Sequence, residues 1–260
     1  MYVGDATDGV TFQARPGVMA DRYSFPHELV WRYMPLPRFL DVLKTGALWF
    51  TRLSYYVMNG DKLEGSAPAM LPKIRDDVLR ERGEDVARYR AEASEFWLRV
   101  LRTVVVNCWY KDEHESALMW ERYGGDEDAV AIVSSLDRFI DAMPPEVTVG
   151  HVEYVDFATE QSYSSNPRDR AFMKSRTLKD EREVRAVFWE LQAPDESSWL
   201  PPGHQTDAGY RVPVNLNTLI SRVTLSPRSS HCRPIAEQAL SAAGIAAPVE
   251  ESECSGAPQY

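Results

Sequence analysis

The pentapeptide Glu181-Arg182-Glu183-Val184-Arg185 concentrates more chemistry than any other stretch of the chain. In a strand, period-2 alternation puts Glu181, Glu183 and Arg185 on one face, and two carboxylates about 7 Å apart need something basic or polar opposite them. Taken alone, such a pair suits a strand that presents carboxylates or a salt-bridged sheet edge. Arg32 stands between Trp31 and Tyr33 in an aromatic strand, either as an exposed edge residue or as an anion holder. Thr51, Arg52 and Ser54 close the next strand, where hydroxyls and a guanidinium meet a phosphate or ribose, or simply cap the strand end. On a helix beginning at Glu115, Ser116, Trp120 and Tyr123 share a face, giving either a wall for a planar ring or ordinary core packing. Between Arg168 and Arg185 seven basic residues meet four acidic ones. That local excess suits a phosphate-bearing ligand or a solvated helix face.

Much else is excluded by absence or balance. The sequence has no GxxxxGK[ST], GxGxxG or GxSxG motif. Its five histidines (27, 114, 151, 204 and 231) lack HxH or HExxH spacing, so no metal site is expected. A net charge of -10 argues against bulk binding of duplex nucleic acid or anionic membrane. Cys108, Cys232 and Cys254 are far apart and odd in number, which fits a reducing compartment. With no apolar leader and no long apolar run, the expectation is a cytoplasmic chain without a membrane partner.

Elements must position these residues, and the spacing predicts them in order. Leu29 to Tyr33 is a strand, Arg38 to Thr45 a helix capped by Gly46, and Ala47 to Thr51 a second strand. Residues 53 to 70 form a long loop with Asn59-Gly60-Asp61 and Gly65-Ser66 turn chemistry, followed by a helical insertion over about 72–102. The apolar run Thr103 to Tyr110 is a buried central strand. Then come a helix (Glu115 to Tyr123), a strand (Ala129 to Val133), a helix (Ser135 to Ala142) and a strand (Thr148 to Val155). A loop over 158 to 170 and a basic helix to about Lys179 precede a half-buried strand from Glu181 to Trp189. Gln192 to Gly209 is a Pro- and Gly-rich loop or lid. Strand Tyr210 to Val214, a short helix, strand Ser221 to Leu225 and helix Pro234 to Gly244 complete a domain over 28–249. A lead-in of 1–27 and a frayed acidic tail from Glu250 flank it. The whole is a single-domain α+β chain whose mixed, mostly antiparallel small sheets form a cleft flanked by helices.

The order of these motifs resembles a widespread bacterial family of unknown function over about residues 29 to 250. The resemblance is carried by Trp31-Arg32-Tyr33, Leu48 to Thr51, Asn59 to Gly65, Asn107-Cys108-Trp109, Glu115 to Tyr123, Ala131 to Val133, Lys174, Arg176 and Lys179 leading into Glu181 to Arg185, and Val214 to Pro227. More remotely it looks like the ADP-ribosyltransferase-like fold, which orders an Arg or His, a Ser or Thr, and a Glu on successive core strands. Arg32, Thr51 and Glu183 fall in that order. The resemblance implies NAD as substrate, with Arg32 holding its nicotinamide ribose or a phosphate and Thr51 supporting the ribose. It further implies that Glu183 bonds the 2′-hydroxyl and stabilises an oxocarbenium-like transition state, while Glu181 orients the acceptor. Tyr33, Arg52, Trp120, Tyr123 and Arg185 join the expected nucleotide-binding set. The implied activity is an ADP-ribosyltransferase or NAD glycohydrolase of toxin or phage-defence biology, acting on a protein or nucleic-acid acceptor that the residues do not specify. The second strand departs from the family pattern as W-F-T-R-L-S, and residues 72 to 102 have no counterpart in a minimal core. A catalytically silent nucleotide- or RNA-sensing module is therefore the second expectation, and a metal-dependent nuclease the third.

Overall fold

The computed structural model describes residues 27–59, 62–160, 167–189, 205–206 and 208–255. The expected lead-in, most of the 192–209 loop, part of the 158–170 loop and the last residues of the tail lie outside the described residues, as do Gly60 and Asp61. The strands are β1 (Leu29–Pro35), β2 (Ala47–Arg52), β3 (Val104–Lys111), β4 (Ala129–Ser135), β5 (Thr148–His151), β6 (Glu153–Val155), β7 (Met173–Ser175), β8 (Glu183–Trp189), β9 (Gln205–Thr206), β10 (Gly209–Pro213), β11 (Arg222–Leu225) and β12 (Val249–Glu251). The helices are α1 (Leu36–Thr45), α2 (Leu53–Met58), α3 (Met70–Glu81), α4 (Val86–Thr103), α5 (Ala117–Gly124), α6 (Leu136–Ala142), α7 (Pro167–Arg170), α8 (Leu216–Leu219) and α9 (Arg233–Ala242). Among the described residues, no helix is long and apolar enough to cross a membrane.

This is an α+β fold, but its sheets are unequal. Ten strands join in one sheet with the path β12-β11-β4-β1-β3-β2-β10-β9, β8 pairing with β3 and β5; β6 and β7 form a separate pair. Apart from β11 with β12 and β6 with β7, the pairings are antiparallel. Local sequence accounts for the entry into the sheet. Pro35 and Pro37 end β1 and open α1, and Gly46 closes α1 at φ 64°, its N–H bonding Val42 O at 2.9 Å. The chain then turns straight into β2.

The centre of the sheet is divided along one strand. β8 pairs with β3 over its whole length, Val104 opposite Trp189 to Tyr110 opposite Glu183. On its other edge, β3 meets β2 only at Val105 and Val106, and β1 only at Tyr110 and Lys111. Between these contacts β1 and β2 splay apart. Side chains span the gap: Arg32 Nη1 donates to the Cys108 carbonyl at 2.5 Å, and Asn107 Nδ2 to the Trp49 carbonyl at 2.8 Å.

One face of the sheet is sealed by α1, α6, α8 and α9, which bury Phe39, Phe139, Leu219 and Leu240 against Leu48, Phe50, Trp109, Val184 and Ala186. The opposite face is covered in two separate patches. Leu53 of α2 and Val100 of α4 pack on Val104, Val106, Cys108 and Val187, while Met119 and Trp120 of α5 pack on Trp31, Tyr33, Ala131 and Val133. A cleft lies between the two patches.

Several boundaries differ from the sequence expectation. The 53 to 70 segment opens with α2, because Leu53 is buried beneath α4. Instead of a basic helix, residues 173 to 181 form β7 and a 3-10 turn over Arg176–Glu181. The tail is ordered through Ser255: β12 pairs with β11, and Ser252 Oγ and Cys254 N–H both bond the Glu115 carboxylate.

Candidate functional site

Antiparallel pairing sets which side chains share the cleft face. Thr51 lies opposite Val106, Cys108 opposite Arg185, Tyr110 opposite Glu183, and Trp31 opposite Tyr110, so all of these project to one side. Above them is a cavity of about 880 Å³, ample for a drug- or nucleotide-sized ligand. Arg32, Thr51, Tyr123, Glu181 and Glu183 all line it. So do Arg38, Lys62, Arg122 and Lys174, giving five cationic side chains against two carboxylates.

The carboxylates have different surroundings. Both Glu183 oxygens are occupied: Lys174 Nζ donates to Oε1 at 2.8 Å and Arg185 Nε to Oε2 at 2.7 Å. The Glu183 N–H donates to Tyr154 Oη at 2.8 Å. Burial opposes ionisation of Glu183, but Arg185 and Lys174 outweigh it and hold the carboxyl well below the usual carboxylate range. Glu181 accepts from Arg122 and from the same Lys174 ammonium. Burial and the neighbouring Glu183 nonetheless push its pKa upward. The pair thus joins a carboxylate kept ionised to a neighbour that takes up a proton more readily, an arrangement able to stabilise positive charge and accept a proton in one place.

Glu181 does not belong to the strand. β8 begins at Glu183, and Arg182 takes a left-handed conformation, φ 41° and ψ 49°, that ends the 3-10 turn and delivers Glu181 beside Glu183. The expected carboxylate pair forms through a kink instead of strand alternation. β8 is also buried on both faces, not one, because the main core packs on Val184, Ala186 and Phe188 and the segment around Ala171 and Phe172 covers the other side.

Four expected ligand-binding residues lie elsewhere. Arg185 is wholly buried, bidentate to Glu64 (2.5 and 3.0 Å) and bonded to the Ala171 carbonyl at 2.6 Å. It positions Glu183 and cannot touch a ligand in the cleft. Arg52 sits outside the cavity lining, with its guanidinium 4.6 Å from the centre of the Tyr210 ring and Nη1 bonded to the Arg102 carbonyl. Trp120 is drawn into the apolar patch, edge-on to Tyr33 with ring centres 4.7 Å apart, and Nε1 donates to Glu115 at 2.9 Å. Tyr33 is not in the lining of this cavity and borders a small adjoining hollow; its hydroxyl accepts from the Ser116 N–H at 2.9 Å.

Other site residues escaped sequence reasoning. Lys174 belongs to a basic run in which nothing local marks it as the bridge between both carboxylates. Glu64 was visible within the Asn59-to-Gly65 motif, but its partner Arg185 is 121 residues away. Cys108 lines the cavity floor, its thiol pushed up to about 11 by burial, with Tyr56 Oη 3.9 Å from Sγ.

Comparison of the chain with protein-family models, with curated proteins and with solved structures finds no match.

Proposed function

We propose that the chain is an NAD-dependent ADP-ribosyltransferase or NAD glycohydrolase. The observation that carries this reading is the convergence of Arg32, Thr51 and Glu183, from three separate strands, on one cavity. The five cations lining it suit a dinucleotide's diphosphate. In this reading the bond from ribose C1′ to nicotinamide breaks and its electron pair leaves with nicotinamide. Glu183, kept ionised, bonds the 2′-hydroxyl and stabilises the oxocarbenium-like sugar. Water or an acceptor nucleophile attacks C1′, and Glu181 orients it and takes its proton.

A specific observation also favours the second reading, a silent nucleotide- or RNA-sensing module. Both oxygens of Glu183 are already held, and its side chain is almost wholly buried. A 2′-hydroxyl reaches Glu183 only by sharing Oε1 with Lys174 or by displacing that bond. The nuclease reading gains no such support, because the positions around Glu181 and Glu183 are taken by Lys174, Arg122 and Arg185.

Nicotinamide release from NAD, followed by chromatography, separates these readings. Wild type is expected to release it, and Glu183→Gln to lose about 100- to 1,000-fold in rate. Arg32→Ala, away from the buried ion-pair network, serves as a second variant, with circular dichroism checking the fold of both. NAD binding of equal strength in wild type and Glu183→Gln, without release, would establish the silent module. Absence of NAD binding to a folded wild type would overturn the enzyme reading.

A further inference from the structure

We propose that Asp128, His231 and Cys232 form a binding site for a divalent cation of the zinc class, separate from the cleft. One carboxylate oxygen, one imidazole nitrogen and one sulfur lie within 4.8 Å of one another, and His231 Nε2 is 3.2 Å from Asp128 Oδ2. Donors around a tetrahedral zinc stand roughly 3.3–3.8 Å apart, given bond lengths of about 2.0–2.3 Å. Closing the set onto an ion therefore takes a small inward movement and no rebuilding of the backbone. Mixed oxygen, nitrogen and sulfur donors favour zinc over the hard cations calcium and magnesium, which take oxygen.

The two segments carrying the donors are already locked together. Asp128 directly precedes β4, and its carbonyl accepts from the Leu36 N–H at 2.8 Å. His231 and Cys232 lie in a 3-10 turn, Ser230–Cys232, that opens α9. Ser229 Oγ accepts from the Ala129 N–H at 3.0 Å, and the Ser226 N–H bonds the Ala129 carbonyl at 2.9 Å. This clasp holds residues 103 apart in sequence in one place, so histidine spacing could not reveal the site. Asp128 and His231 are exposed, giving the ion an entry path, while Cys232 is buried beneath them. On binding, the Cys232 thiol gives its proton to solvent and coordinates as thiolate, and water completes the fourth position. The ion would pin the start of α9 to the loop that follows α5.

The test uses the full chain, stripped with chelator, then equilibrated with zinc and counted by mass spectrometry against a competing chelating dye. His231→Ala changes a surface side chain and leaves the fold intact; Asp128→Asn and Cys232→Ser complete the set. The expected result is one more zinc per chain in wild type than in His231→Ala, affinity at least about tenfold weaker in Asp128→Asn, and a zinc-dependent rise in melting temperature that is smaller in Asp128→Asn than in wild type and lost in His231→Ala. Cobalt should give a thiolate charge-transfer band in wild type that Cys232→Ser lacks. Zinc stoichiometry and affinity unchanged by His231→Ala, or no zinc bound by wild type, would overturn the proposal. A cobalt complex without the thiolate band would remove Cys232 from the ligand set and with it the zinc-class assignment.

Discussion

Glu64→Gln is the sharpest test of how the cleft is built. Glu64 and Arg185 side chains are both 0% exposed, so water cannot screen their bidentate pair or replace a lost partner. Arg185 also holds Glu183 and the Ala171 carbonyl. Glutamine keeps the shape and one acceptor but removes the charge, leaving a buried guanidinium balanced by Glu183 alone. Breaking a buried pair by removing one partner costs about 3–5 kcal/mol, consistent with two charge-assisted bonds at ~1.5–3 kcal/mol each. Taking about 4 kcal/mol, and roughly 2–4 °C per kcal/mol for a chain of this size, the melting temperature should fall by about 8–16 °C. Urea unfolding, at matched protein concentration, should show the same loss in midpoint with little change in slope. Replacing both partners, Glu64→Leu with Arg185→Met, should not restore the loss, because Glu183 and the Ala171 carbonyl then lose Arg185 as well. A loss below about 1 kcal/mol for Glu64→Gln would refute the reasoning, since it would mean that the pair is hydrated or dispensable.

Two further expectations concern the cleft. Glu183 has a depressed folded-state pKa, so its contribution to stability is present above the ordinary glutamate value of about 4.3 and is lost as pH falls below that toward the folded value. Stability measured against pH should therefore drop on the acid side in wild type and more shallowly in Glu183→Gln; parallel acid limbs would contradict the assignment. Cys254 is exposed whereas Cys108 is buried with its thiol pushed up to about 11, so iodoacetamide near neutral pH should label Cys254 first and Cys108 much more slowly. Peptide mapping of the alkylated chain checks this, and equal labelling rates would mean that the cavity floor is open to solvent.

Strands with strong local patterns were legible in the sequence. The apolar run of β3 announces a central strand, and Val184, Ala186 and Phe188 do face the core opposite Glu183 and Arg185. Arg32, Thr51 and Glu183 could be ordered along the chain, but their convergence depends on β1 and β2 parting along one edge of β3, which no local pattern encodes. The misplaced residues failed for one shared reason. Arg185 and Trp120 were assigned by face and spacing, whereas their fate was decided by partners far away in sequence: Glu64 for one, Tyr33 and β4 for the other. Arg182 shows the converse. Its left-handed backbone breaks the period-2 rule yet leaves Glu181 where alternation would have put it, because Lys174 draws both carboxylates together.

The parting of β1 from β2 also has a mechanical consequence. Among the described strands, the halves β12-β11-β4-β1 and β2-β10-β9 are joined edge to edge only through two residue pairs each on β3. Prising them apart would break no continuous ladder between β1 and β2; resistance comes from α1 and the core packed across both halves and from two side-chain tethers, Arg32 to Cys108 and Asn107 to Trp49. The compliance of the sheet is thus concentrated at the mouth of the cavity, while β8, paired along all of β3, keeps Glu183 on the stiff side of the seam.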